Sequence, residues 1–273
     1  MKIISKPSEL QNYLKQFNAT VGFVPTMGAL HEGHLSLINH SKNQNDITVV
    51  SIFVNPTQFL KGEDLDKYPK KDEADKKICE LAGVDILFFP QVDDIYKKDE
   101  ATIQAPLVRG YVLEGASRPG HFSGVLTVVL KLLNIVNPTN AYFGKKDAQQ
   151  LFLIQEMVKN FFLHVNIVPV DTVREKDGLA LSSRNVYLSS AQRKEALKIS
   201  ASLNEARSLI QKGVLDAKTI RYKMLEILSP LKVEYVEILT RDFDITNNVV
   251  IGNTIILVEA IVGNTRLLDN IWI

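Results

Sequence analysis

The sequence has a single cysteine, Cys79, in 273 residues, so no disulfide framework can form within the chain and a reducing compartment is expected. Cys79 lies in a helical pattern with Ile78 and Leu81, where a small buried hydrophobe is expected rather than a catalytic thiol. An excess of one charge is also lacking: 32 Lys and Arg against 31 Asp and Glu leave a formal net charge of +1. Nothing global draws the chain to nucleic acid or to an anionic membrane, so any polyanion contact has to be local. Long apolar runs are missing too. The most apolar segment, residues 122–136, is interrupted by Ser123, Lys131 and Asn134 and is too short to span a bilayer. The opening stretch, Met1-Lys-Ile-Ile-Ser-Lys-Pro-Ser-Glu, lacks a signal-peptide core, and the expected location is cytoplasmic. Internal repeats, low-complexity tracts and flexible linkers are absent.

What is there is an ordinary globular balance, 45% hydrophobic and 23% charged. Near-continuous apolar runs at residues 21–24, 47–54, 86–89, 141–143 and 165–170 read as buried strands. Helical patterns near 34–44, 72–82, 122–136 and 147–160 separate them. This alternation predicts an α/β fold, a Rossmann-like doubly wound parallel sheet over residues 1–173. From about residue 174 the pattern changes to two helices, near 190–211 and 216–228, and three strand-like runs at 233–239, 254–262 and 266–271. Gly-Asn turns at 252–253 and 263–264 punctuate those runs, which predicts a smaller α+β lid domain over 174–273.

Ligands of doubly wound sheets bind beyond the carboxyl ends of the strands, and the chemistry-bearing stretches fall there. In Pro25-Thr-Met-Gly-Ala-Leu-His-Glu-Gly-His-Leu-Ser-Leu-Ile38, His31 and His34 flank Gly33 at a strand-to-helix turn. Unpaired N–H groups and the positive end of the helix dipole make such a turn an anion site. A His-x-x-His pair also ligates metals, but no cysteine or third histidine stands near to complete a zinc site, and phosphate binding is favoured.

A second such turn carries Phe143-Gly-Lys-Lys-Asp-Ala-Gln-Gln150, where Gly144 permits close backbone approach and Lys145 and Lys146 meet negative charge. Asp147 there reads equally as a helix cap. Leu181-Ser-Ser-Arg-Asn185, at the domain junction, offers the hydroxyls of Ser182 and Ser183 and the forked guanidinium of Arg184. Gln58, in Asn55-Pro-Thr-Gln-Phe59, and Gln150 are neutral donors and acceptors that suit a small substrate with hydroxyls and a carboxylate. The charged run 61–71 reads as a solvated loop on composition, and its place after the second strand also makes it a candidate lid.

Taken in chain order, the stretches 25–38, 51–59, Arg118-Pro-Gly-His-Phe-Ser-Gly-Val125, 143–150 and 181–185 resemble the pantothenate synthetase family. That family lies within the nucleotidyltransferase superfamily that includes class I aminoacyl-tRNA synthetases. The resemblance runs from Thr26 to Asn185 and continues into the C-terminal pattern. It implies that pantoate, β-alanine and ATP become pantothenate, AMP and pyrophosphate through a pantoyl adenylate. Carried over by position, the nucleotide site comprises Met27, Gly28, Ala29, Leu30, His31, Glu32, Gly33 and His34, then Gly144, Lys145, Lys146 and Asp147, then Val173, Leu181, Ser182, Ser183 and Arg184.

Gln58 and Gln150 take the place of the family's pantoate-binding glutamines. His34 matches its catalytic histidine, with His31, Lys146 and Arg184 stabilising charge. Magnesium is expected mainly on the phosphates of ATP, with protein ligands unassigned, and the family resemblance implies a homodimer. Leu181 stands where methionine is usual, a change of similar volume. Lys145 stands where an acidic or polar residue is common, so the lysine role goes to Lys146. Two rivals share these motifs: a nucleotidyltransferase that keeps the nucleotide on its product, and a non-catalytic nucleotide-binding module. A tRNA synthetase fits worst, because the chain is short, nearly neutral and without an anticodon-binding module.

Overall fold

The computed structural model describes residues 1–60 and 62–273, so Lys61, the first residue of the expected lid, lies outside the described residues. The chain divides into two compact units: residues 1–144 with 149–170, and residues 145–148 with 171–273. The four residues Lys145–Ala148 thus group with the second unit, whereas a single cut after residue 173 leaves them in the first. No helix among the described residues is long and apolar enough to cross a membrane.

The first unit is built on six parallel strands, β1 (Lys2–Ile4), β2 (Val21–Thr26), β3 (Ile47–Ile52), β4 (Ile86–Phe88), β5 (Asn140–Gly144) and β6 (Asn166–Val170). Their connections carry α1 (Pro7–Leu14), α2 (Glu32–Gln44), α3 (Asp72–Leu81), the one-turn helices α4 (Val92–Ile95) and α5 (Glu114–Ser117), α6 (His121–Val136) and α7 (Ala148–Asn160). The register explains the apolar runs. Val24, Val50 and Leu87 are in line across three strands, and so are Phe23, Val49 and Ile86 one residue earlier. Successive side chains point to opposite faces, and both rows are buried, so both faces are covered. On one of them, Leu37 and Ile38 of α2 and Cys79 of α3 pack against Val24, Val50, Leu87 and Tyr142. Burial pushes the Cys79 thiol up to about 12, helped by the charge of Asp75, so it is a packed side chain with no thiolate to offer.

The spatial order is β1-β4-β3-β2-β5-β6. The chain leaves β2 toward β3 on one side, then returns to place β5 on the other. The loops after β2 and β5 therefore border the point where the winding reverses. β1 was not foreseen: it is three residues long, two of them exposed, and gives almost no periodic signal.

The second unit has an antiparallel sheet of β7 (Lys232–Thr240), β8 (Thr254–Val262) and β9 (Thr265–Trp272) in that order. Helices α8 (Ser190–Gln211) and α9 (Ala217–Leu228) pack on it through Ile199, Leu203, Ile220 and Met224 against Ile256 and Val258. Ser189 opens α8 with a reciprocal cap, its hydroxyl accepting from Gln192 N–H while the Gln192 side chain accepts from Ser189 N–H.

One polar network fixes α2 against the sheet. The fully buried Tyr142 hydroxyl accepts from Asn45 Nδ2 at 2.7 Å and donates to Gln44 Oε1 at 2.9 Å. Asn45 also accepts from Asn140 Nδ2 at 2.8 Å, so the end of α2 is tied to β5. Tyr142→Phe removes the hydroxyl that links the half-buried Asn45 to the exposed Gln44 and should cost about 0.5–1.5 kcal/mol. Urea unfolding measures this; an unchanged midpoint would show that the network does not hold α2.

Candidate active site

Past β2 the chain makes a left-handed turn, with φ of 86° at Gly28 and 50° at Ala29, before α2 begins. Such a turn exposes two backbone N–H groups that need acceptors. A single carboxylate meets both: Asp75, on α3 and almost wholly buried, accepts from Ala29 N–H at 2.7 Å and Leu30 N–H at 2.8 Å. Gly28 N–H goes to Thr26 Oγ1 at 3.2 Å.

The two histidines then cap α2 reciprocally. His31, the N-cap residue, accepts from Gly33 N–H through Nδ1 at 3.1 Å, and His34 Nδ1 accepts from His31 N–H at 3.3 Å. Their rings lie 4.2 Å apart between centroids. A Cβ at position 33 would come within 2.8 Å of His31 Cε1, so the cap needs glycine there. This explains the spacing His31-Glu-Gly-His34. With Nδ1 of each ring accepting a backbone proton, the ring's own proton sits on Nε2. Each histidine thereby presents an N–H donor on the side away from its cap.

Gln58 ends a short turn, Pro56–Gln58, directly after β3. Its side chain is held at both ends, Oε1 accepting from Asn55 Nδ2 at 3.1 Å and Nε2 lying 3.0 Å from Met27 Sδ. Asn55 is itself fixed by the Tyr96 hydroxyl at 2.7 Å. The structure thus brings Met27, His31, His34 and Gln58 onto the two loops that follow adjacent central strands. Gly144 ends β5, paired on the other side of β2. Gln150 is half-buried in the first turn of α7. Its neighbour Gln149, fully buried, bonds instead to Arg109 O, Val112 O and Glu114 N.

In the second unit, Val173 and Leu181 face each other across a tight hairpin. Leu181 N–H donates to Val173 O at 3.0 Å, and Arg174 bridges Ala180. Ser182 caps the following turn, Oγ accepting from Arg184 N–H at 3.3 Å, and Ser183 and Arg184 lie within that turn. Two arginines hold the hairpin. Arg193 reaches Glu175 and Asp177, each at 2.7 Å, and its hydrogen bonds keep both carboxyls below their ordinary range. Arg174 makes a two-pronged bond, at 2.5 and 2.9 Å, to the buried Asp269 of β9.

The next residue of β9, Asn270, donates to both Lys145 O and Lys146 O at 2.9 and 2.8 Å. Lys145 itself pairs with Asp171 at 2.6 Å beside the Trp272 ring, and Lys146 Nζ lies 3.2 Å from Asp147. The pair Asp269-Asn270 therefore holds the backbone of one expected phosphate-binding stretch and the root of another.

Asp75, Asp269 and Asn270 were not foreseen. In each case the signal was a polar residue at a position its element buries, and that burial shows only in the fold. Asp75→Asn replaces one acceptor oxygen by an N–H₂ facing a backbone N–H. It should destabilise the protein by about 1–3 kcal/mol and speed amide exchange at Ala29 and Leu30 selectively. Unchanged protection there would show that Asp75 does not hold the turn.

Comparison with known proteins shows the family and the fold. The Pantoate-beta-alanine ligase family matches residues 2–272. A pantothenate synthetase of Sulfurimonas denitrificans is 66% identical over 273 residues, the whole of both chains, and one of Aliarcobacter butzleri is 59% identical over the same span. Among solved structures, pantothenate synthetase of Thermus thermophilus superposes with a TM-score of 0.94 at 40% identity over 99% of each chain. The pantoate-beta-alanine ligase of Francisella tularensis, complexed with β,γ-ATP and β-alanine, gives 0.81 at 38% identity, covering 100% of this chain and 97% of that one. With the family matched from end to end and the parallel sheet, histidine cap and glutamine turn in place, this chain belongs to the pantoate–β-alanine ligase family.

Proposed function

We propose that this chain condenses pantoate with β-alanine at the expense of ATP, through a pantoyl adenylate. The observation that supports it most strongly is the reciprocal cap of His31 and His34 beside the glutamine turn. It supplies two N–H donors and a helix N-terminus for phosphates, next to a neutral amide for a hydroxy acid.

In the first step a pantoate carboxylate oxygen attacks the α-phosphorus in line. The bond from that phosphorus to the bridging oxygen breaks, and pyrophosphate leaves. Negative charge grows on the bridging and equatorial oxygens, and fixed donors stabilise it without reorganising. We assign this work to His34 Nε2–H and His31 Nε2–H, with Lys146 and Arg184 drawing off charge. The backbone of Met27–Leu30, Glu32, Gly33, Gly144, Lys145, Asp147, Val173 and Leu181–Ser183 completes the nucleotide contacts. In the second step the β-alanine amine attacks the acyl carbon, the bond to the adenylate oxygen breaks, AMP leaves, and the amine gives up a proton.

Gln58 and Gln150 hold pantoate, their neutral amides donating to and accepting from its hydroxyls and carboxylate, which sets selectivity. Magnesium arrives with ATP on the phosphate oxygens as part of the substrate. We further assign residues 61–71 and the second unit to enclosing the labile adenylate. A homodimer working in the cytoplasm fits the family resemblance and the composition.

Pantoate-dependent exchange of labelled pyrophosphate into ATP without β-alanine tests the first step. Exchange is expected; a need for β-alanine, or exchange without pantoate, refutes a free-standing adenylation. AMP retained on the product would favour the nucleotidyltransferase rival, and ATP binding with no exchange the non-catalytic one.

His34 should matter to the transition state more than to ATP binding, because many other groups hold the nucleotide. His34→Ala should slow single-turnover adenylate formation by on the order of 10²–10³-fold, with a much smaller change in ATP dissociation constant. A collapse of ATP affinity with a normal rate at saturation would make His34 a binding residue.

A further inference from the structure

The stretch Arg118-Pro-Gly-His-Phe-Ser-Gly124 has no part in the chemistry above, yet it converges on the turn that carries Gln58. His121, buried at the start of α6, places Nδ1 2.8 Å from Gln58 O, and Arg118 Nη2 lies 3.3 Å from the same oxygen. Arg118 Nη1 is 2.9 Å from His121 Nε2. An arginine only donates and a carbonyl only accepts, so His121 carries its proton on Nδ1 and accepts at Nε2. The guanidinium also makes a two-pronged bond to Glu63, Nε to Oε1 at 2.7 Å and Nη2 to Oε2 at 2.6 Å. Glu63 lies in the charged 61–71 run and also accepts from Leu60 N–H at 3.0 Å.

Gly124 closes the arrangement from the other side. Its carbonyl accepts from Asn55 Nδ2 at 3.2 Å, and a Cβ there would come within 2.3 Å of Thr57 O. The glutamine turn is thus clamped from α6 at its carbonyl, beside its side-chain anchor Asn55 and along its backbone.

We propose that Arg118, acting through His121 and locked by Glu63, is the positioning residue for Gln58, so that the charged run is coupled to the pantoate subsite. Arg118 touches no substrate in this role. It sets where the Gln58 amide sits, and the Glu63 carboxylate sets where Arg118 sits. Placement of residues 62–68 and pantoate binding are therefore linked through one guanidinium. The inference rests on the assignment of Gln58 to pantoate.

The test compares pantoate and ATP KM values in Arg118→Ala, Glu63→Gln, Gln58→Ala and the double variant Gln58→Ala with Arg118→Ala. Arg118→Ala should raise the pantoate KM about tenfold with a much smaller change for ATP, and added guanidinium ion should recover part of it. In the Gln58→Ala background, Arg118→Ala should add little, because it acts through the group already removed. If Gln58→Ala leaves the pantoate KM unchanged, the assignment of Gln58 is wrong. If Gln58→Ala raises it while Arg118→Ala shifts both substrates equally, shifts neither, or adds fully to Gln58→Ala, the positioning role is wrong. Should Arg118→Ala not fold, Glu63→Gln carries the same comparison, since it removes the clamping charge and keeps the shape; no pantoate effect there overturns the coupling.

Discussion

His31 and His34 each give a ring nitrogen to the backbone at the start of α2, and much of the first unit serves to keep that cap closed. The cap uses up Nδ1 of both rings and so decides which nitrogen carries the proton. It needs Gly33, because any side chain there meets the His31 ring. It also needs the turn before it, and that turn needs Asp75. Capping side chains contribute about 1 kcal/mol of helix stability each. The larger consequence is orientation, since two donors that would otherwise rotate are held in one direction. At the other end of α2, the Tyr142 network fixes the helix to β5, so the donors and the strand end bearing Gly144 share one frame.

The second unit uses charge for the same purpose, and its ion pairs are unequal. Lys145 with Asp171 is an exposed pair of the kind worth about 0–1 kcal/mol. Arg174 with Asp269 is two-pronged with the carboxylate buried, and breaking a pair of that kind costs roughly 3–5 kcal/mol. The hairpin joining Val173 to Leu181 therefore depends on β9, the last strand of the chain. Asn270, next along, fixes the carbonyls of Lys145 and Lys146. This amide bridges 124 residues of sequence and ties two of the four residues, Lys145 and Lys146, that group with the second unit.

The parts legible in the sequence were those with a local signal. Alternating apolar runs and helical patterns gave the parallel sheet, because a strand buried on both faces must be apolar throughout. The Gly-Asn pair at 263–264 marked the β8–β9 hairpin, and Ser189 marked the start of α8. The residues named for chemistry were visible as motifs at strand ends. What supports them was not. Asp75, Asp269 and Asn270 are ordinary polar residues in sequence, Arg118 and His121 stood in a stretch that carried the resemblance without any role attached, and the partners of all five lie on other elements. The charged run 61–71 shows the limit well: its composition reads as solvated, yet Tyr68 is buried against Phe59 and Glu63 is held by Arg118. A pairing between residues 55 apart leaves no local trace.

The tautomer of the two cap histidines is the point on which the proposed chemistry turns, and it is measurable without substrate. Long-range ¹H–¹⁵N correlation spectra of the imidazole nitrogens at neutral pH distinguish a protonated from an unprotonated ring nitrogen. For both His31 and His34 the cap predicts an unprotonated Nδ1 and a protonated Nε2. A proton on Nδ1 of either ring, or signals averaged between the two nitrogens, would mean that the cap does not hold and that the rings are not fixed as donors.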